Sequence, residues 1–169
     1  MRIFSALVCS AVFGLAACGG SGDEETAAMP AGSEPAAEED AGSAMAGNRS
    51  GRPAVIRVAR SDFGRMLFDS HRQAIYVFER DPKGRSVCYG DCARAWPPVF
   101  TDGKPVAGRG VKASLLSTIE RRGGRRQVTY AGKPLYFYAH EGRAEVRCHN
   151  VNLNGGFWWV VGPDGKRRP

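Results

Sequence analysis

The stretches Ala74-Ile75-Tyr76-Val77-Phe78 and Leu135-Tyr136-Phe137-Tyr138 organise the chain. Both are short, apolar and rich in aromatic or β-favouring side chains, which suits strands better than helices. In an extended chain alternate residues share a face, so Tyr76 points with Phe78 and Tyr136 with Tyr138. The two stretches are also copies of each other, 60 positions apart. The same offset relates Val55-Ile56 to Leu115-Leu116, Asp81 to Glu141 and Cys88 to Cys148, while residues 66–72 match only after about one gap. Two copies are too few for a free-standing solenoid, which needs about three or more. They read instead as pseudo-symmetric halves of one β domain, about 54–105 and 113–165. The paired aromatics then fill the space between the halves; a ligand platform is the sharper alternative.

Further strand candidates are residues 55–60, 66–68, 115–119, 127–130 and 157–161. Turn signals separate them, among them Asp81-Pro82-Lys83-Gly84, Gly123-Gly124, Gly132-Lys133-Pro134 and Asn154-Gly155-Gly156. Asp81 stands first in its group, the place favoured in a type I turn, so it reads as a turn residue or as a ligand or cation contact. Residues 89–95 are the one helical candidate, stopped by Pro97-Pro98. The expected fold is mainly β: antiparallel strands and hairpins in two pseudo-repeats, with one short helix near Cys88-Tyr89-Gly90-Asp91-Cys92.

Charge divides the chain. Residues 19–53 hold seven acids and two bases, whereas residues 54–169 hold 10 acids and 21 Lys/Arg, a net of +11. The acidic segment has no aromatic residue and is rich in Gly, Ala, Ser, Glu and Pro, the composition of a disordered tether. Ahead of it, Met1-Arg2 precedes an apolar run from Ile3 to Ala17. That run is shorter than the roughly 20 residues of a membrane span and suits a signal peptide, 1–17. It ends Leu15-Ala16-Ala17-Cys18-Gly19, which resembles the lipobox of bacterial lipoproteins. The resemblance implies diacylglyceryl transfer to the Cys18 thiol, cleavage before it, and anchoring by two or three acyl chains. The lipidated Cys18 and the tether then occupy residues 18–53.

Tyr76-Val77-Phe78-Glu79-Arg80-Asp81 fits the pattern Y-x-(F/W/Y)-x-x-D. Three further blocks accompany it: residues 88–98, residues 128–136 and Gly156-Phe157-Trp158-Trp159-Val160-Val161. Together they resemble the secreted-repeat lipoproteins of bacteria. The resemblance implies an envelope location and a repeat architecture, but no general biochemical activity. The second copy, with Tyr136 and Tyr138 in the places of Tyr76 and Phe78, departs from the pattern by ending in Glu141 where the first has Asp81. The family block carries both Cys88 and Cys92, which favours their disulfide; pairing of Cys148 with either is open. A soft-metal site from Cys88, Cys92, Cys148 and His149 or His140 is a further alternative, with ligand types that suit copper or zinc.

Trp158 and Trp159 face opposite ways in a regular strand, so one fills the core and the other is at least partly exposed. An exposed Trp suits stacking on a ligand. No G-x-S-x-G, H-E-x-x-H or phosphate-loop motif occurs, and no cofactor is expected. Nucleic acid is an unexpected partner for scattered charges at an extracytoplasmic address. The expected partners are the membrane, through the lipid on Cys18, and an anionic envelope polymer or lipid headgroup. The leading function is envelope binding or structural support without catalysis. The alternative is an extracytoplasmic redox or metal-handling module using Cys88, Cys92 and Cys148.

The address is testable at one atom. Cys18→Ser is expected to abolish metabolic lipid labelling and release the protein from the membrane fraction; membrane retention through the N-terminus would instead identify an uncleaved anchor.

Overall fold

The computed structural model describes residues 51–169. The signal segment, Cys18 and the acidic segment as far as Ser50 lie outside the described residues. In chain order the elements are β1 (Val55–Ser61), β2 (Gly64–Asp69), β3 (Tyr76–Phe78), α1 (Asp91–Ala95), β4 (Val106–Ala107), a 3₁₀ turn (Ala113–Leu115), β5 (Leu116–Glu120), β6 (Arg126–Tyr130), β7 (Lys133–Pro134), β8 (Val151–Leu153) and β9 (Gly156–Val160). The fold is mainly β, as the strand pattern indicates. The strands form three sheets, β2-β1-β4, β3-β9-β8 and β5-β6-β7. All their pairings are antiparallel except β1 with β4.

The repeat is visible in the hairpins. β1 pairs with β2 from Ile56↔Asp69 to Ser61↔Gly64, and β5 pairs with β6 from Leu116↔Tyr130 to Glu120↔Arg126. Ser61 closes the first turn itself, its Oγ accepting from Phe63 N and donating to Gly64 O. The second turn closes through Arg121 N to Arg125 O at 2.9 Å. It is one residue longer by register, so Asp69 and its counterpart Tyr130 stand 61 positions apart, and the offset returns to 60 by Tyr76 and Tyr136.

The two halves exchange their ends. Tyr76 and Tyr136, counterparts in the repeat, donate backbone N–H groups to each other's carbonyls at 2.8 and 3.0 Å. The end of the second half, β9, pairs with β3 of the first through Tyr76↔Val160 to Phe78↔Trp158. The end of the first half does the reverse: Pro98 bridges Tyr136, and Val99 N donates to Leu135 O at 2.9 Å. The residue pattern predicts a strand over 135–138, yet only Tyr136 forms bridges there. Their neighbour is Pro97-Pro98, which has no N–H to offer, so a regular ladder cannot propagate. The helix is also shorter than residues 89–95. It starts after Gly90, whose φ of 56° is left-handed, and it ends before Pro97.

Alternation along these central segments feeds two cores. Ala74, Tyr76, Phe78, Tyr136 and Tyr138 enter one, with Met66, Phe68, Trp96 and Trp158. Ile75, Val77, Leu135 and Phe137 enter the other, with Ile56, Leu67, Val99, Val128 and Val161. Both faces are therefore buried, and the segments form the wall between the cores. At the centre of the first core Trp96 and Trp158 stack with centroids 3.9 Å apart and planes within 2°. Each meets the repeat tyrosine of its own half edge-on, Tyr76 with Trp96 at 5.3 Å and Tyr136 with Trp158 at 5.2 Å. Each also covers the second motif aromatic of the other half, Phe78 against Trp158 and Tyr138 against Trp96. The motif aromatics are thus core residues packed between the halves.

Trp96→Ala removes a fully buried ring from this stack. The expected loss is about 3–5 kcal/mol of unfolding free energy, measured by denaturant titration; a loss below about 1 kcal/mol would show that the stack is peripheral to stability.

Candidate functional site

The conspicuous polar feature inside the domain is a pair of crossed bonds. Tyr76 Oη donates to Glu141 Oε1 at 2.6 Å, and Tyr136 Oη donates to Asp81 Oδ2 at 2.6 Å. Each half supplies the tyrosine for the carboxylate of the other. Each carboxylate in turn receives backbone N–H groups from its own half. Asp81 Oδ1 accepts from Val87 N at 2.8 Å, and Glu141 Oε1 accepts from Arg147 N at 2.5 Å and Cys148 N at 3.1 Å. Asp81 thus uses both oxygens. Glu141 gathers all three donors on one, and its Oε2 has no hydrogen-bond partner among the described residues. The extra methylene of the second copy shifts the acid without giving its second oxygen a bond.

Burial is the largest influence on all four groups. It raises the Tyr76 and Tyr136 hydroxyls far above 10.0, and the facing carboxylates push the same way. It also raises Asp81 and Glu141 above their ordinary values, against the pull of their hydrogen bonds. Asp81 therefore does more than open a turn. Its side chain is buried, and the turn beyond it closes one residue later, through Arg85 N to Pro82 O at 3.3 Å.

The two locks have different surroundings. In one, Tyr136 Oη also meets Ser86 Oγ at 2.7 Å, and Arg121 Nη1 donates to Ser86 Oγ and Gln127 Oε1 at 2.7 Å each. Arg121 Nη2 reaches Cys88 O at 2.5 Å, while the guanidinium lies over Tyr89. Cys88 and Cys92 form a disulfide across a Cα separation of 5.3 Å. Its loop is short, so it constrains the unfolded chain by about 2 kcal/mol. Cys148 lies buried in the first core, outside that bond. Two sulfurs of the alternative cluster of Cys88, Cys92, Cys148 and His149 are joined to each other, and among the described residues no three His, Cys, Asp or Glu side chains are placed to hold a metal.

Of the two candidate stacking residues, Trp158 is fully buried and offers no face to a ligand. Trp159 is partly exposed, with Arg167 over its ring and His149 against its edge. Burial lowers the His149 pKa from 6.5, while its bond to Pro169 O opposes the shift. His140 is exposed and rests edge-on against Tyr138.

A groove of about 420 Å³ lies elsewhere, between residues 100–103 and the β5–β6 turn, residues 123–126. The turn reads Arg121-Arg122-Gly123-Gly124-Arg125-Arg126. Arg125 lies over Phe100, its guanidinium carbon 3.4 Å from the ring centroid, and Arg122 lies over Tyr89 at 4.7 Å. Gly123 and Gly124 both take left-handed φ, which lets the turn close without a side chain at its tip. Along the sequence the glycines mark a turn and the basic residues read as scattered; the signal for the cluster is four arginines flanking Gly-Gly.

A family model described as a secreted repeat of unknown function matches the chain twice, over residues 57–100 and 117–162. The two matches fall one in each half of the repeat. No curated protein and no solved structure matches the chain.

The locks carry a pH signature. Tyrosines whose folded pKa is raised stabilise the fold fully below pH 10 and lose that contribution as pH rises toward the folded value. Two such groups steepen the loss above pH 10 by about 2.7 kcal/mol per pH unit. Asp81 and Glu141, also raised, contribute in full at pH values below their ordinary ones and lose that contribution as pH rises through their folded values. Alkaline titration followed at 295 nm is expected to show Tyr76 and Tyr136 ionising only with unfolding. Tyr76→Phe/Tyr136→Phe should be less stable at neutral pH by about 1–3 kcal/mol per lost bond and should lack the steep alkaline limb. An unchanged limb would sink the assignment.

Proposed function

The chain belongs to the family of secreted repeats of unknown function, and from that premise we propose that it is a lipid-anchored envelope protein that binds anionic envelope components without catalysis. Membership of a secreted family places the repeat domain outside the cytoplasm. No helix of the described residues is long and apolar enough to cross a membrane. Attachment in this reading runs through the lipid on Cys18, and the Y-x-(F/W/Y)-x-x-D pattern serves architecture, its tyrosine and acid joining opposite halves.

One observation carries the binding reading. Residues 54–169 have a net charge of +11, and only four ion pairs occur among the described residues. Each of them joins side chains that keep substantial solvent contact, so they contribute little to stability. Most of the positive charge is thus uncompensated, and such a field draws the domain toward anionic surfaces. The tyrosines and acids of the two halves, which would be the natural candidates for proton transfer, are engaged with one another in the interior.

Vesicle co-sedimentation tests this reading. The mature chain from Gly19 onward, without the lipid, is expected to bind phosphatidylglycerol vesicles at low salt and to ignore neutral phosphatidylcholine vesicles. Because screening shortens to about 8 Å at physiological ionic strength, affinity should fall steeply as salt rises. Equal binding to both vesicle types, or salt-insensitive binding, would overturn the electrostatic reading.

A further inference from the structure

We infer that the groove beside the Arg121–Arg126 turn is a phosphate-binding site. This deepens the proposed function: it rests on the reading that the protein contacts anionic envelope components, and it names the place and the chemistry.

The fold does not require this turn to be basic. Its counterpart in the first half, between Ser61 and Gly64, carries Asp62 and Phe63 and closes on its own serine. The second turn has an extra residue and four arginines. Arg121 is consumed in the interior by Ser86, Gln127 and Cys88 O. Arg122, Arg125 and Arg126 are exposed, and among the described residues no carboxylate lies within ion-pair distance of any of them. Glu120 sits opposite Arg126 in register, and Asp102 lines the groove, so acids are close by yet unpaired with these side chains.

Aromatic stacking prepares the arginines for an anion. A guanidinium lying on a ring keeps its in-plane N–H donors turned outward, and the ring limits the rotamers it would lose on binding. Arg125 lies over Phe100 at the groove itself, and Arg122 lies over Tyr89 alongside. The bare Gly123-Gly124 tip puts no side chain over the opening. Planar forks at and beside one groove, Arg125 and Arg126 lining it and Arg122 next to them in the turn, suit a group with several acidic oxygens held bidentately, which is a phosphate ester. A lipid headgroup and a soluble polyphosphate present that same chemistry.

The test titrates sodium tripolyphosphate into the mature, unlipidated chain by calorimetry, with phosphatidylglycerol vesicles as a parallel arm. Arg122→Gln/Arg125→Gln/Arg126→Gln is expected to weaken tripolyphosphate binding at least tenfold. Arg60→Gln/Arg143→Gln/Lys166→Gln removes as much charge from exposed positions elsewhere and should weaken it less than threefold. Phe100→Leu leaves the charge unchanged and removes the stacking ring; a loss of threefold or more is expected. Thermal unfolding of each variant confirms that the domain is intact. Competition between tripolyphosphate and vesicles would identify the headgroup as a source of the same phosphate, whereas vesicle binding that tripolyphosphate does not displace overturns the headgroup as that source and leaves a soluble phosphate ester as the ligand of the site. Equal losses in the two triple variants, with Phe100→Leu unaffected, also overturn it and leave a diffuse basic surface. Failure of the wild type to bind either probe overturns the anionic reading itself.

Discussion

A tyrosine hydroxyl taken out of water needs an acceptor, and a buried carboxylate needs donors. Tyr76 and Glu141, and Tyr136 and Asp81, solve both needs at once across the boundary between the halves. The remainder of the core is arranged around that exchange. The backbones of Tyr76 and Tyr136 pair side by side, which sets the tyrosines on the first core together with the stacked indoles of Trp96 and Trp158. The residues between them fill the second core. Neither half has both partners of any lock, so neither has a complete interior of its own.

Period-two patterning was enough to find most strands, because which face a residue takes is a local property of an extended chain. It placed Tyr76 with Phe78 and Tyr136 with Tyr138, and the offset of 60 showed that the two pairs are equivalent. Partner choice is not local. Nothing in Trp158-Trp159-Val160 says that it pairs with β3 of the other half, and Pro97-Pro98 gave a helix stop without revealing the segment it would sit beside. The turn at Asp81 misled for a related reason. Its composition is that of an exposed turn, but its carboxylate is claimed by a tyrosine 55 positions away.

The same distinction separates charge counted along the chain from charge placed in space. Arginines spread over the domain's sequence suggest a generally basic surface. Folding gathers three of them at one turn, stacks two on aromatic rings, and leaves them apart from the nearby acids. Positive charge without local compensation opposes compaction, so its retention beside a groove is a cost that the cores and the disulfide offset.

Because the ends of the halves are exchanged, the domain has the internal symmetry of a homodimer carried on one chain. In a true homodimer every substitution appears twice, and a charge placed near the axis meets its own copy. Here the two copies of a position are separate codons. Asp81 and Glu141 differ, Cys88 has a disulfide partner that Cys148 does not share, and one hairpin turn is longer and carries four arginines. The joint between the halves keeps its two-fold geometry, and the periphery is free to be asymmetric. Such a chain can specialise one half for contact with the outside while the other preserves the partner surfaces on which both depend.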